Sequence, residues 1–235
     1  ESKIFAITCP TEELKKHLID KKIFLTDKVK ILFDAIINIE ELIDKKKNIN
    51  LIPKININKD YFLAAGRFTK QKNYTYLIRE FKKFLEIYPN EKLVLIGEGE
   101  LKKNLENEIE KSNLSKNIFL LNYTNNIYFY MKNSKAFILS SLWEEVGFVI
   151  VESAICNTFV ISSNCKNGPK EFLMEGKAGI LFENNEKNEL LKKLKEFKKL
   201  EKSEIFKKKV LAKKNSMKFT MFRHFLCLKN IIDQI

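Results

Sequence analysis

A chain of 235 residues with 45% apolar content is long enough for one good-sized core, or a core with an appendage, and too apolar to be disordered. With 7 Gly and 4 Pro and no apolar run of membrane-spanning length, it reads as neither a linker-rich repeat nor a helical membrane protein. The net charge of +13 admits nucleic acid, acidic lipid headgroups or phosphorylated substrates. Its lysines, however, are spread over many segments among 30 acids, and its richness in Lys, Asn, Ile and Phe matches an A/T-rich coding sequence, so nucleic acid is not expected as a partner.

In chain order, Lys3–Thr8 reads as a short strand, and Thr11 is a suitable N-cap for a helix to about Asp20. Lys28–Leu32 follows as a strand, then a weak helix around Ile39–Lys46 and a polar connector. A stronger alternation begins near Tyr61. Strands are expected at Tyr61–Ala65, Lys92–Ile96, Asn117–Leu121, Ala136–Leu139, Thr158–Ser163 and Ala178–Phe182. Between them lie an amphipathic helix at Tyr74–Tyr88, a helix carrying Leu101, Leu105 and Ile109, a short helix at Asn126–Asn133 and a helical turn at Pro169–Met174. Strands alternating with helices predict an α/β, Rossmann-like, mostly parallel sheet with helices on both faces. Beyond Glu183 the chain is helical and lysine-rich. Ser203–Lys214 reads as one helix, and Ser216 as the cap of a last, apolar one running to about Ile232.

The residues able to carry chemistry sit at strand ends. Arg67 and Lys72, five positions apart, can clamp a diphosphate or can be ordinary solvated cations. Gly97-Glu98-Gly99 is a tight turn or a place where backbone meets a ligand, and lacks the third glycine of a dinucleotide fingerprint. Ser140–Cys156, SSLWEEVGFVIVESAIC, follows a strand and turns at Gly147 into a helix whose first N–H groups favour an anion. Its acids Glu144 and Glu152, eight positions apart, read as an acid–base pair, as acceptors of sugar hydroxyls, or as exposed acids. His17 and His224 are far apart on predicted helices and read as structural or exposed. Cys9, Cys156, Cys165 and Cys227 form no C-x-x-C pair, and no signal pattern opens the chain, which points to reduced thiols and a cytoplasmic setting. No metal-ligand spacing, phosphate loop, nucleophile elbow or D-x-D pair is present.

GRFTKQKN at Gly66–Asn73, LVLIGEGEL at Leu93–Leu101 and SSLWEEVGFVIVESAICNTFVISSNCKNGPKEFL at Ser140–Leu173 together resemble the donor-binding, C-terminal domain of the family-four glycosyltransferases of the GT-B fold. Glu144 and Glu152 match that family's E-x7-E motif, and NCKNGPKEF is similar to members using UDP-hexoses or UDP-N-acetylhexosamines for surface glycans or lipid-linked acceptors. The resemblance implies a retaining hexosyltransferase of polysaccharide biosynthesis, without cofactor or metal. It assigns Arg67 and Lys72 to the donor diphosphate and Glu144 to the transferred sugar. The backbone of Gly99, Gly147, Phe148 and Val149 would lie along the donor, and Glu152 would hold the ribose. Arg67, Lys72 and Glu144 would be the catalytic set.

Three departures stand out. Glu145 and Asn73 occupy positions where the family commonly has glycine. The acceptor domain is reduced to residues 1–50, followed by a donor domain over 51–215 and a crossing helix over 216–235. The chain is therefore expected to hold half a cleft and to be inactive alone. The alternatives are a non-catalytic nucleotide-sugar module served by a separate acceptor-domain chain, or a basic nucleic-acid-binding protein. The lysine-rich helices and the apolar last helix add peripheral attachment to an anionic membrane, on its inner face, as an expectation.

Overall fold

Apolar side chains that alternate along short runs decide where the strands lie. The computed structural model describes residues 4–47, 60–165 and 168–234. Six strands, β3 (Phe62–Ala65), β4 (Leu93–Ile96), β5 (Ile118–Leu121), β6 (Ala136–Leu139), β7 (Phe159–Ser163) and β8 (Ile180–Phe182), form one parallel sheet in the order β5-β4-β3-β6-β7-β8. Phe62, Ala64, Leu93, Leu95, Ala136, Ile138, Phe159 and Ile161 face one core layer. Their neighbours Leu63, Ala65, Val94, Ile96, Phe137, Leu139 and Val160 face the other. Such two-sided burial is what a parallel sheet with helical crossovers requires, and it explains why these runs are continuously apolar.

The first layer is closed by α3 (Tyr74–Ile87), α4 (Lys102–Lys111) and α8 (Glu189–Lys199). The second is closed by α2 (Ile39–Lys47), α5 (Ile127–Asn133), α6 (Phe148–Ile155) and α9 (Lys202–Ser216). A separate pair of parallel strands, β1 (Ile7–Cys9) and β2 (Val29–Ile31), brackets α1 (Glu12–Asp20). Thr11 caps α1 as its sequence suggests, accepting from Leu14 N at 3.1 Å. The Glu171 carboxylate, from α7 (Pro169–Phe172), accepts from the amides of Glu12 and Glu13 at 3.1 and 3.2 Å. A negative charge thus meets the positive end of the α1 dipole and ties the first unit to the main sheet.

Two boundaries differ from the sequence reading. The first strand begins at Ile7 rather than Lys3, because pairing with β2 starts at Ile7 and Val29; Ile4 and Phe5 precede the ladder and are exposed. Ser216 does not cap the last helix, α10 (Met221–Ile232). Ser216 is buried at the end of α9, donating to Lys213 O, and Thr220 caps α10 by accepting from Arg223 N at 3.3 Å. A bridge between Ile37 and Thr220 holds residue 220 extended, which fixes the helix start there. The Phe33 carbonyl meets His224 Nδ1 at 2.6 Å, so this histidine is structural. The expected boundary near residue 50, in the polar connector, lies outside the described residues, as do Lys166 and Asn167 of the NCKNGPKEF stretch.

Phe62 is the hub of the first layer. Its ring meets Phe81, Phe84 and Phe197 edge-on at 5.6, 5.7 and 5.7 Å, linking β3 to α3 and α8. Phe62→Ala is expected to lower stability by about 3–5 kcal/mol, measured by denaturant titration; a loss under about 1 kcal/mol would mean that the layer closes over the cavity.

Candidate functional site

The strand order reverses between β3 and β6, and their ladder is short. Only Phe62–Ala136 and Leu63–Phe137 pair, whereas β3 and β4 pair over four positions. Beyond these pairs the carboxyl ends diverge, and crevices at such reversals are where open α/β sheets bind ligands. A cleft of about 620 Å³ opens there. Its wall includes Gly66 and Arg67 after β3, Gly97, Glu98 and Gly99 after β4, Tyr123 to Asn125 after β5, Tyr128 of α5, and Val149 and Glu152 of α6.

Backbone contact shapes the floor. A side chain on Gly97 would place its Cβ 2.0 Å from the Gly66 carbonyl oxygen, and one on Gly99 would place it 2.6 Å from the Phe68 carbonyl oxygen. Phe68 N donates to Glu98 O at 2.8 Å, and Leu101 N donates to Phe68 O at 3.0 Å. The loops after β3 and β4 are thereby locked together, which is why glycine stands at both positions. Arg67 extends from this floor as an exposed side chain on the cleft wall, without an ion pair among the described residues.

Lys72 and Glu144 meet each other. Lys72 Nζ lies 2.5 Å from Glu144 Oε1, with the side chains 12% and 8% exposed. Ser141 Oγ donates to the same oxygen at 2.5 Å, and Ser163 Oγ donates to Ser141 O at 2.7 Å. Ser140 Oγ donates to Lys72 O at 2.7 Å, and Leu142 N to Gln71 O at 2.7 Å. The turn after β3 is thus stitched to the loop after β6. Asn73, placed where the resembling family commonly has glycine, adopts a left-handed conformation with φ 52° and ψ 41°. Asparagine is among the few side-chain-bearing residues that visit this region readily, so the departure preserves the turn. Gly168 stands at φ 123°, and a Cβ there would lie 2.6 Å from Glu145 O and 2.7 Å from Val146 Cα. The loop carrying Glu145 is therefore packed tightly beneath it.

Gly147, left-handed at φ 75°, starts α6, and the amides of Phe148 and Val149 fall in its first turn, where no helical carbonyl can satisfy them. Val149 and Glu152 reach the cleft; Lys72, Glu144, Gly147 and Phe148 are not part of its wall. Tyr128 donates its hydroxyl to Glu152 Oε1 at 3.3 Å. Burial pushes the Glu152 carboxyl above the usual carboxylate range, against the opposing pull of the Tyr128 hydroxyl and the Lys45 ammonium. Lys45 also stands 5.9 Å over the Tyr128 ring and pairs with Glu41 one turn earlier. Sequence reasoning missed Lys45, Tyr128 and Tyr123. The Glu41–Lys45 spacing is visible in the chain, but nothing local links α2 to Glu152. Among the described residues no group of three or more His, Cys, Asp or Glu is placed to hold a metal ion.

Two measurements follow from this geometry. Lys72→Met leaves the Glu144 carboxylate buried without its cation and is expected to cost roughly 3 kcal/mol, while adding Glu144→Gln recovers part of that loss. Simple additivity in the double-mutant cycle would mean that the two groups do not interact. For Glu152, a raised folded-state pKa means that its favourable share of stability is present below the unfolded pKa and lost as pH rises through the folded one. Glu152→Gln is therefore expected to match the parent in acid and to melt on the order of a few degrees higher at neutral pH. A thermal-unfolding series over pH checks this, and an equal or lower midpoint at neutral pH would contradict it.

The glycosyl transferases group 1 family model matches residues 45–215. An uncharacterized glycosyltransferase of Methanocaldococcus jannaschii is 45% identical over 120 residues, covering 50% of this chain and 30% of that protein. The N-acetylgalactosamine-N,N'-diacetylbacillosaminyl-diphospho-undecaprenol 4-alpha-N-acetylgalactosaminyltransferase of Campylobacter jejuni is 32% identical over 168 residues, covering 72% of this chain and 44% of that protein. The chain thus spans less than half the length of these relatives. A crystal structure of a mutant TarM of Staphylococcus aureus with fondaparinux, alpha-GlcNAc-glycerol and UDP superposes with a TM-score of 0.77 at 21% identity, covering 98% of this chain and 44% of that one. The doubly wound sheet is shared with that structure, and the match to the family model over most of the chain places this protein in the group 1 glycosyl transferases.

Proposed function

We propose that this chain is the donor-binding half of a retaining glycosyltransferase that takes a UDP-hexose or UDP-N-acetylhexosamine and delivers the sugar to a glycan or lipid-linked acceptor in surface polysaccharide synthesis. The observation that carries the reading is the convergence of Arg67 and Glu152 on one cleft at the reversal of strand order. An exposed cation and a half-buried carboxylate on the wall of one cleft suit a molecule with a diphosphate at one end and a ribose diol at the other. The C. jejuni relative is named for transfer to a diphospho-undecaprenol acceptor, and the TarM complex contains UDP. Both support the substrate class.

In this reading Arg67 neutralises the diphosphate, and Lys72 helps with the ammonium protons it does not give to Glu144. The Phe148 and Val149 amides, with the α6 dipole behind them, receive the distal phosphate. The backbone of Gly99 and Gly147 flanks the donor. Glu144, with one oxygen committed to Lys72 and Ser141, offers the other to a sugar hydroxyl. Glu152 accepts the ribose hydroxyls, and two such donors favour its ionised form against the desolvation that raises its pKa. The bond from the anomeric carbon to the phosphate oxygen breaks as a bond from the acceptor oxygen forms on the same face. The acceptor's hydroxyl proton passes to the departing phosphate. Negative charge grows on that phosphate, so fixed cations aimed there lower the barrier without a metal ion. Residues 51–215 form the donor unit, with 1–50 and 216–235 facing a second, acceptor-binding domain in the same polypeptide or a separate chain.

Calorimetric titration with UDP, GDP and UDP-sugars, with and without magnesium, tests this. Micromolar-to-millimolar UDP binding is expected, indifferent to magnesium and weakened at least about tenfold in Arg67→Ala and in Glu152→Ala, the scale of one lost charge-assisted contact. Folded protein that binds none of these nucleotides, or variants that bind as the parent does, would overturn the reading.

A further inference from the structure

The helix α9 has two faces that differ in kind. Ala212 and Ser216 are buried against the sheet side, where α9 packs on α6 and β7. Away from that side, Phe206 and Val210 stand four residues apart on α9, and Met217 follows directly after its last residue. They are 64%, 45% and 42% exposed. Single apolar residues on a surface are ordinary, but a contiguous apolar line away from the buried face calls for an explanation.

The charge around this line is mostly positive, Glu204 being the single acid within α9. Lys202, Lys207, Lys213 and Lys214 are exposed beside it, and none of them has an ion pair among the described residues. From Phe206 to Met217, FKKKVLAKKNSM, no acid occurs. The contrast with α8 is direct. There Lys192, Lys193 and Lys198 pair with Glu189, Glu196 and Glu91, at 3.2, 2.8 and 2.8 Å. Lys207, Lys213 and Lys214 thus stand unpaired beside exposed apolar side chains, with Glu204 the one carboxylate on their own helix.

We propose that this face of α9 docks the protein on an anionic phospholipid surface. An exposed apolar line sinks among headgroups and acyl ends while long lysine side chains at its flanks reach the phosphates, the arrangement of an interfacial helix. The lysines supply long-range attraction and the ridge supplies shallow insertion; with one and not the other, attachment is weak. The cleft is formed by other elements, so this docking is independent of the nucleotide reading.

Co-sedimentation with vesicles of phosphatidylglycerol and phosphatidylcholine in equal parts, against vesicles of phosphatidylcholine alone, tests the proposal. Binding to the anionic vesicles is expected to fall as salt rises and to be absent from the neutral ones. Lys207→Glu with Lys214→Glu is expected to weaken it at least about tenfold, since each lysine near such a surface is worth about fivefold in partition. Phe206→Ser with Val210→Ser is expected to weaken it comparably while leaving the circular dichroism spectrum unchanged. The control pair Lys192→Glu and Lys195→Glu on α8 should change it far less. Equal binding to neutral vesicles, no binding at all, or an equal loss in the α8 control would overturn the proposal. So would concentration-dependent self-association abolished by Phe206→Ser in protein that ignores vesicles, which would assign the ridge to a protein contact.

Discussion

The pairing of Lys72 with Glu144 is the constraint on which the site's geometry depends. β3 and β6 share only two ladder positions before they part, so nothing in the sheet itself fixes the loops that leave their carboxyl ends. The ion pair, the Ser141 hydroxyl and the backbone bonds from Leu142 and Ser140 to the Gln71–Lys72 turn close that gap. A buried pair of this kind adds little net stability over apolar residues of the same size, because both charges must first lose water. Its effect is to specify one arrangement of loops that would otherwise have several. It also orients the start of α6, since Gly147 follows Glu144 by three residues.

Glu152 shows the opposite relation between structure and use. Its surroundings disfavour its charge, and the hydroxyl of Tyr128 and the ammonium of Lys45 only partly offset the desolvation. A residue kept merely for packing would be neutral in such a place. A carboxylate held in the wall of the cleft against its own desolvation is chemically suited to the diol proposed for it. The floor behaves differently again. The close approach of the Gly66 and Phe68 backbones to the turn at Gly97 and Gly99 leaves those loops little freedom to rearrange beneath the exposed Arg67.

Much of this was legible in the sequence, for physical reasons that can be named. Strands buried on both faces read as continuous apolar runs, and β6 spans Ala136–Leu139 as its run predicts. α3 carries a regular apolar face; expected over Tyr74–Tyr88 and stopped by Pro89, it ends at Ile87. The motif residues were found by spacing and by resemblance, and the structure brings Arg67 and Glu152 to one cleft and Lys72 to Glu144. What could not be read was set by contacts between distant segments. Thr220 displaces Ser216 as a cap because residue 37 pairs with it. Lys45 and Tyr128 join Glu152 through the packing of α2 on α5, which no local pattern encodes. That Asn73 can stand in for glycine follows only once its backbone is seen to be left-handed.

The net charge illustrates how little a composition says until the side chains are placed. A chain with 43 Lys and Arg against 30 Asp and Glu invites one explanation for all its excess cations. The structure divides them. Lys72 pairs with Glu144, Lys135 and Lys198 both reach Glu91, and Lys192 and Lys193 of α8 pair with neighbouring acids. Those cations have structural partners and exert little field beyond them, since paired charges cancel over a few ångströms and salt screens the remainder. Among the cations without an ion pair in the described residues, two groups stand beside something more than solvent: Arg67 at the cleft, and the lysines flanking the apolar line on α9. A basic protein built in this way need not attract every polyanion. On the proposals made above, the positive charge that matters stands beside a second feature: a crevice shared with Glu152 in one case and a line of apolar side chains in the other.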